Sequence, residues 1–125
     1  MASSICSEAH KKTKRVFNEV VRLRQAFQDH RFKDCKIIFD NLQKPVEGME
    51  QVFTDDAFVV ISPNLESISR VANDLQKVLN SWHAIRMALI NGVNPGQIIE
   101  DWQEALTVIT KWLLKQAKQE ASSGN

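Results

Sequence analysis

The residues best suited to chemistry by type and spacing are basic. Lys11, Lys12, Lys14 and Arg15 fall within five positions, and Arg22 follows seven residues later. On a helix, Lys11, Arg15 and Arg22 share one face and span about 16 Å at 1.5 Å per residue. A row of that length can follow a nucleic-acid backbone, where each neutralised phosphate releases counterions. Arginine grips phosphate bidentately, and lysine adds a point charge. Lys11, Arg15 and Arg22 are therefore the expected phosphate contacts, with Lys12 and Lys14 steering. No aromatic residue interleaves the 11–15 cluster, so stacking on single-stranded bases is not supported. Charge alone suffices for backbone and shape recognition of a duplex, and duplex RNA is the expected form. The plain alternative is a solvated helix face, or one docked on an acidic part of the same chain.

Charge is unevenly distributed along the chain. Residues 1–36 carry nine Lys/Arg and four acids, and residues 37–125 carry seven Lys/Arg and eleven acids. A basic first third beside an acidic remainder bears on partners or internal docking rather than on fold. The 11–15 run is also of nuclear-localisation type. The expected location is intracellular, cytoplasmic with nuclear entry through this run. The first ten residues lack the basic and apolar regions of a secretory signal. No apolar run approaches the roughly 20 residues of a membrane span, so no membrane partner is expected.

Cys6 with His10, and His30 with Cys35, have the look of metal-ligand pairs, and zinc accepts two Cys and two His. Along one continuous helix His10 and His30 lie about 30 Å apart. One chain could not close the site, although an antiparallel dimer could. The expectation is two free thiols in a reducing compartment and no metal. His83 has no visible catalytic partner motif. Asp55–Asp56 suits a turn or helix start, and Glu100–Asp101 suits the opening turns of a helix, where the dipole favours negative charge. Glycine-rich phosphate loops, nucleophile elbows and the zinc-protease signature are all missing from the sequence. The reading is a non-enzymatic binding protein with no cofactor.

Four apolar-context residues support a second reading. Arg24 sits within an otherwise apolar stripe. It either snorkels, pairs with an acid on another helix, or fixes register at a subunit interface. Trp82, Trp102 and Trp112 are core or interface anchors. Three Trp and six Phe with no Tyr is a heavy apolar load for 125 residues, and some of it could face a partner. The alternative function is thus a protein-interaction or scaffold module using an apolar helical groove or an oligomer interface. A homo-oligomer is expected on either reading.

The elements that must position these residues are helices. At 43% hydrophobic and 25% charged, 125 residues suit one folded domain, with residues 1–6 and 119–125 flexible. Val16, Val20, Leu23 and Phe27 predict a first helix over 7–30, N-capped by Ser7. A second over 33–42 would bury Ile37, Ile38 and Phe39, and Pro45 and Gly48 would then punctuate the chain. Residues 46–61 fit a hairpin, a short helix capped by Thr54, or an irregular apolar segment, with helix or irregular preferred. Ser62 and Pro63 predict the start of a third long helix, whose stripe runs from Leu65 through Ala72, Leu75, Leu79 and Trp82 to Leu89. It would end at Asn91–Gly92. Asn94, Pro95 and Gln97 predict the start of the last helix in capping-box form. The whole is expected to be an all-α bundle of four to five helices, the last two long ones forming an antiparallel hairpin.

Overall fold

The first helix begins three residues earlier than the capping pattern predicts. In a computed structural model describing residues 4–123, α1 spans Ile5–Gln28, and Ser4 is its cap, accepting from the Ser7 N–H at 2.9 Å. The reason lies in the stripe: Cys6, Ala9, Thr13, Val16, Val20 and Leu23 alternate at spacings of three and four, and all are buried. Residues 5 and 6, expected to be flexible, belong to the packed helix. Residues 1–3 lie outside the described residues.

α1 stops at His30, which adopts the left-handed conformation (φ 58°). The Arg31 N–H then reaches back to the Ala26 carbonyl at 2.9 Å, the six-to-one bond of a Schellman ending. The long helix Ile68–Ile90 (α5) closes with the same arrangement at Gly92 (φ 69°), where the Val93 N–H donates to the Ala88 carbonyl. Glycine makes that ending legible in a sequence; histidine does not.

α2 (Phe32–Asn41) and α3 (Gln43–Thr54) are separated by a single turn residue, Leu42. Pro45 and Gly48, expected to break the chain, lie inside α3. Pro45 is its third residue, where a backbone N–H would have no intrahelical acceptor, so its absence costs nothing. Asp55 is extended and separates α3 from α4 (Asp56–Ile61). Its carboxylate accepts from the Ala57 N–H at 2.8 Å. Thr54, the expected cap, instead turns its hydroxyl back to the Glu50 carbonyl. Residues 46–61 are therefore helical on both sides of Asp55.

Ser62 and Pro63 open only a single 3-10 turn, Ser62–Asn64, and α5 starts later, spanning Ile68–Ile90. α6 (Gly96–Ser123) holds the intervening residues out of the helix. Trp112 Nε1 and Gln116 Nε2 donate to the Glu66 carbonyl at 2.7 and 3.2 Å. Lys115 Nζ and Gln119 Nε2 donate to the Glu66 carboxylate at 3.0 and 2.7 Å. Gln119 belongs to the stretch expected to be flexible, 119–125, of which residues 124 and 125 lie outside the described residues. At the other end of α6, Asn94 Oδ1 accepts from the Gly96 N–H at 2.8 Å as predicted. Gln97 pairs forward with Asp101 instead of completing a capping box.

α6 is the central element. Trp102 donates to the Val78 carbonyl and Trp112 to that of Glu66, so α5 and α6 run antiparallel as the predicted hairpin. Arg24 meets Glu100 and Gln103, and Cys6 lies beside Glu120, so α1 is antiparallel to α6 on its other flank. α3 packs on both α1 and α5. The result is a compact all-α bundle with no strand among the described residues. One core runs through Val16, Val20, Met49, Val78, Trp102, Leu106 and Ile109.

Candidate functional site

The 11–15 basic cluster divides once the helix is packed. Lys11, Lys14, Arg15 and Arg22 are exposed, and Lys12 is half-buried, its aliphatic stem lying toward Gly48 of α3. Lys14 Nζ sits 4.9 Å from the Phe17 ring centroid, a cation–π contact. Arg22 pairs with Glu19 at 3.1 Å. That pair is solvent-exposed and spans one turn, so it holds Arg22 only weakly. Among the described residues no carboxylate lies within ion-pair distance of Lys11, Lys12, Lys14 or Arg15. The Lys11–Arg15–Arg22 row therefore faces water and does not dock on the acidic part of the chain.

Arg24 does engage another helix. Its guanidinium donates to Gln103 Oε1 at 3.0 Å and meets Glu100 Oε1 at 3.4 Å. It is an intramolecular α1–α6 tie. The three indoles are likewise internal. Trp102 is fully buried and Trp82 and Trp112 nearly so. Each N–H reaches a carbonyl on a different segment: Phe39 for Trp82, Val78 for Trp102, Glu66 for Trp112. A buried indole needs such a partner, and these three are met within the chain. Their place is the core, although the rim of the Trp82 ring reaches a surface groove.

That groove lies between α2 and α5, with a volume of about 610 Å³. Leu23 and Phe27 of α1 and Ile99 of α6 form its floor. Phe32, Cys35 and Phe39 line the α2 wall, and Trp82, Ile85, Leu89 and Ile90 line the α5 wall. Phe39 and Trp82 stack across it at 5.0 Å, 9° from parallel, which joins the walls at the bottom. Lys36, Asp40 and Arg86 are the charged residues in the lining. α2 approaches α5 through side chains alone, chiefly the Phe39–Trp82 stack, and the space between the two helices is the groove.

Both expected in the core, Leu89 in the groove wall and Ile37 on another face of α2, beside Arg22 and Asp34, are more than half exposed. Phe32, Met87, Ile90 and Val93 are also more than half exposed. All lie near one end of the bundle, where α1 ends, α2 begins, α5 ends and α6 begins. Sequence reasoning missed this end because it followed stripes. The signal was present in Met87, Ala88, Leu89 and Ile90: four consecutive apolar residues exceed what one helix face can bury.

The thiols behave differently from each other. Cys6 is fully buried, and burial together with the neighbouring Glu120 pushes its thiol up to about 12. Cys35 is half-buried in the groove wall, and burial raises its thiol less. Cys6 and His10 sit at the start of α1, and His30 and Cys35 lie beyond its far end. Among the described residues no three His, Cys, Asp or Glu side chains converge on a metal-sized site. His83 reaches Glu50 of α3 at 3.4 Å, a surface tie between α5 and α3. No helix among the described residues is long and apolar enough to cross a membrane.

The chain matches no protein-family profile, no curated protein and no solved structure.

Proposed function

We propose that the chain is a protein-interaction module whose working surface is the α2/α5 groove and the apolar end around it. One observation carries this: three of the groove's lining side chains, Phe32, Leu89 and Ile90, are large, apolar and more than half exposed. Contiguous exposed apolar surface on a folded domain marks an interaction site, whereas scattered single residues do not. A volume of about 610 Å³ falls in the range of specific binding clefts. The walls are helices, so the shape suits an apolar helical segment laid between them. The reading assigns no catalytic step. It is tested by titrating the apolar dye bis-ANS into dilute protein. Fluorescence should rise on binding, and Ile90→Glu or Phe32→Ser should abolish the rise while leaving the circular dichroism spectrum intact. An unresponsive wild-type chain would remove the reading.

A second reading rests on the solvent-facing row. Lys11, Lys14 and Arg15 lack carboxylate partners, and the Glu19 hold on Arg22 is weak enough for phosphate to displace. The function would be backbone binding to duplex RNA. Three neutralised phosphates give a slope of log affinity against log salt of about −2.7. Anisotropy of a labelled duplex should show that slope, and Lys11→Glu with Arg15→Glu should remove binding. A flat salt response would refute it. The same double reversal leaves the groove unaffected, which separates the two readings.

A further inference from the structure

We infer, on the reading of the basic row as a duplex-binding surface, that α6 supplies the second half of that surface. Lys11 and Lys14 of α1 and Lys111 and Lys118 of α6 line the two sides of the outer α1/α6 seam, and a nucleic-acid duplex lies over the seam with phosphates on both sides. Chain order hides this, because α6 is acidic first and basic last. Residues 96–110 hold Glu100, Asp101 and Glu104 and no Lys or Arg, whereas residues 111–123 hold three Lys and one Glu. α1 and α6 are antiparallel, so the basic end of α6 lies beside the basic first half of α1.

Two contacts fix the placement. Arg24 reaches Glu100 and Gln103, and Cys6 lies beside Glu120. With equal rise on both helices, Lys14 falls level with about position 112 of α6 and Lys11 with about position 115. Both are therefore between the levels of Lys111 and Lys118. At about 100° per residue, Lys111 and Lys118 stand roughly 60–80° round α6 from Gln103, and Lys14 stands roughly 80° round α1 from Arg24. In an antiparallel pair of right-handed helices those rotations lead to the same side, the one away from the core. Lys11 stands further round α1, and all four lysines are exposed.

Among the described residues no carboxylate lies within ion-pair distance of Lys111 or Lys118, as for Lys11 and Lys14. The acids at this end are turned elsewhere. Glu66 holds Lys115 at 3.0 Å, and Glu120 lies beside the buried Cys6. Glu8 stands roughly 160° round α1 from Arg24, on the side away from α6. A basic face built from two helices and left without internal counter-charge is complementary to a polyanion.

The dimensions select a duplex. Packed helix axes lie about 8–10 Å apart, within the range of duplex groove widths, about 6–12 Å in B-form. One row of lysines serves one strand, and two rows serve the phosphates on both edges of a groove. The composition of the face disfavours other polyanionic surfaces. Lysine is depleted at protein interfaces, and a helix that lies on a membrane inserts an apolar face. Among the described residues the first half of α1 exposes no large apolar side chain, and α6 beyond Lys111 exposes only Leu114.

The test is anisotropy of a labelled RNA duplex titrated with the full chain across a salt series. Two α6 contacts added to the three of the α1 row steepen the slope of log affinity against log salt from about −2.7 to about −4.5. A fourfold rise in salt should then weaken wild-type binding about 500-fold, but binding by Lys111→Gln with Lys118→Gln only about 40-fold. Lys33→Gln with Lys77→Gln removes the same charge from exposed positions on α2 and α5 and should keep the wild-type slope. A wild-type slope near −2.7 that Lys111→Gln with Lys118→Gln leaves unchanged, in a chain whose binding Lys11→Glu with Arg15→Glu still removes, overturns the α6 half and leaves the α1 row standing. Single-stranded RNA bound as tightly as the duplex overturns the two-sided seat. Binding to phosphatidylserine vesicles without binding to the duplex, or binding to neither, overturns the α1 row as well.

Discussion

Thr13→Val should stabilise the protein. Thr13 is fully buried within the α1 stripe, between Ala9 and Val16. Its hydroxyl has no hydrogen-bond partner, not even the carbonyl one turn back that helical threonines commonly use. A buried hydroxyl left unpaired costs roughly 1–3 kcal/mol, and a methyl of nearly the same shape removes that cost. Val keeps the β-branching, so helix propensity changes little. The expected gain is about 1 kcal/mol, the low end, because some relaxation accompanies the exchange. For a chain of 125 residues that corresponds to a rise in Tm of about 4 °C. Thr110→Val supplies the control. Thr110 is also buried, but its hydroxyl donates to the Leu106 carbonyl at 2.6 Å. The same exchange there gives up a made bond, with an expected effect between neutral and a loss of about 1 kcal/mol. Urea denaturation of both variants with unchanged m-values is the assay. If Thr13→Val loses as much stability as Thr110→Val, the Thr13 hydroxyl is satisfied in solution and the reasoning fails.

Three further outcomes follow from the geometry. Trp102→Ala should cost about 3–5 kcal/mol by chemical denaturation, since it empties the centre of the bundle and strands its contacts on α5; a loss below about 1 kcal/mol would contradict that placement. Cys35 should react with a disulfide reagent at pH 8 far faster than Cys6. The Cys6 thiol is pushed from 9.0 to about 12, which lowers its thiolate fraction about a thousandfold. Comparable native rates, read by mass spectrometry of the labelled peptides, would refute the closed contact between α1 and the end of α6. On the acid side two groups contribute. The Glu66 carboxyl is held below its usual 4.5 by Gln119 and Lys115, so its contribution is present above that value and is lost as pH falls through the lowered one. Burial, with help from Lys14, holds His10 below 6.5, so stability should begin to fall as pH drops below 6.5. Glu66→Gln and His10→Gln should each flatten their own part of the stability–pH profile, and unchanged profiles would contradict the assignments.

The helices themselves were largely legible, and so were their chemical excesses. Val16, Val20 and Leu23 marked the buried face of α1, and Asn94 with Pro95 marked the start of α6. Gly92 marked the end of α5. The ending of α1 was not legible, because His30 takes a left-handed conformation that side chains other than glycine adopt only when the surroundings favour it. The start of α5 was misread for a related reason: Ser62 and Pro63 make a good local cap, and four α6 side chains gathered on Glu66 override it. The basic row was visible as a row, but its freedom from internal acids was not. The groove was invisible, since Phe32, Phe39, Trp82 and Ile90 come from two helices that are not neighbours in the chain, with residues 42–67 between them.

Local sequence therefore determined that the chain is helical, which faces of α1 and α6 are apolar, and that α5 and α6 fold back on each other across a short turn. These depend on residues three or four apart, or on a single turn, and such interactions are written in the order of the chain. Tertiary structure alone decided that the three tryptophans are internal, that Arg24 binds α6, and that Leu89 and Ile90 remain uncovered. Each of those depends on whether another helix reaches the position. α2 meets α5 through the Phe39–Trp82 stack and leaves Leu89 and Ile90 more than half exposed. Coverage is a property of helix lengths and directions taken together, and no periodicity within α5 could encode it.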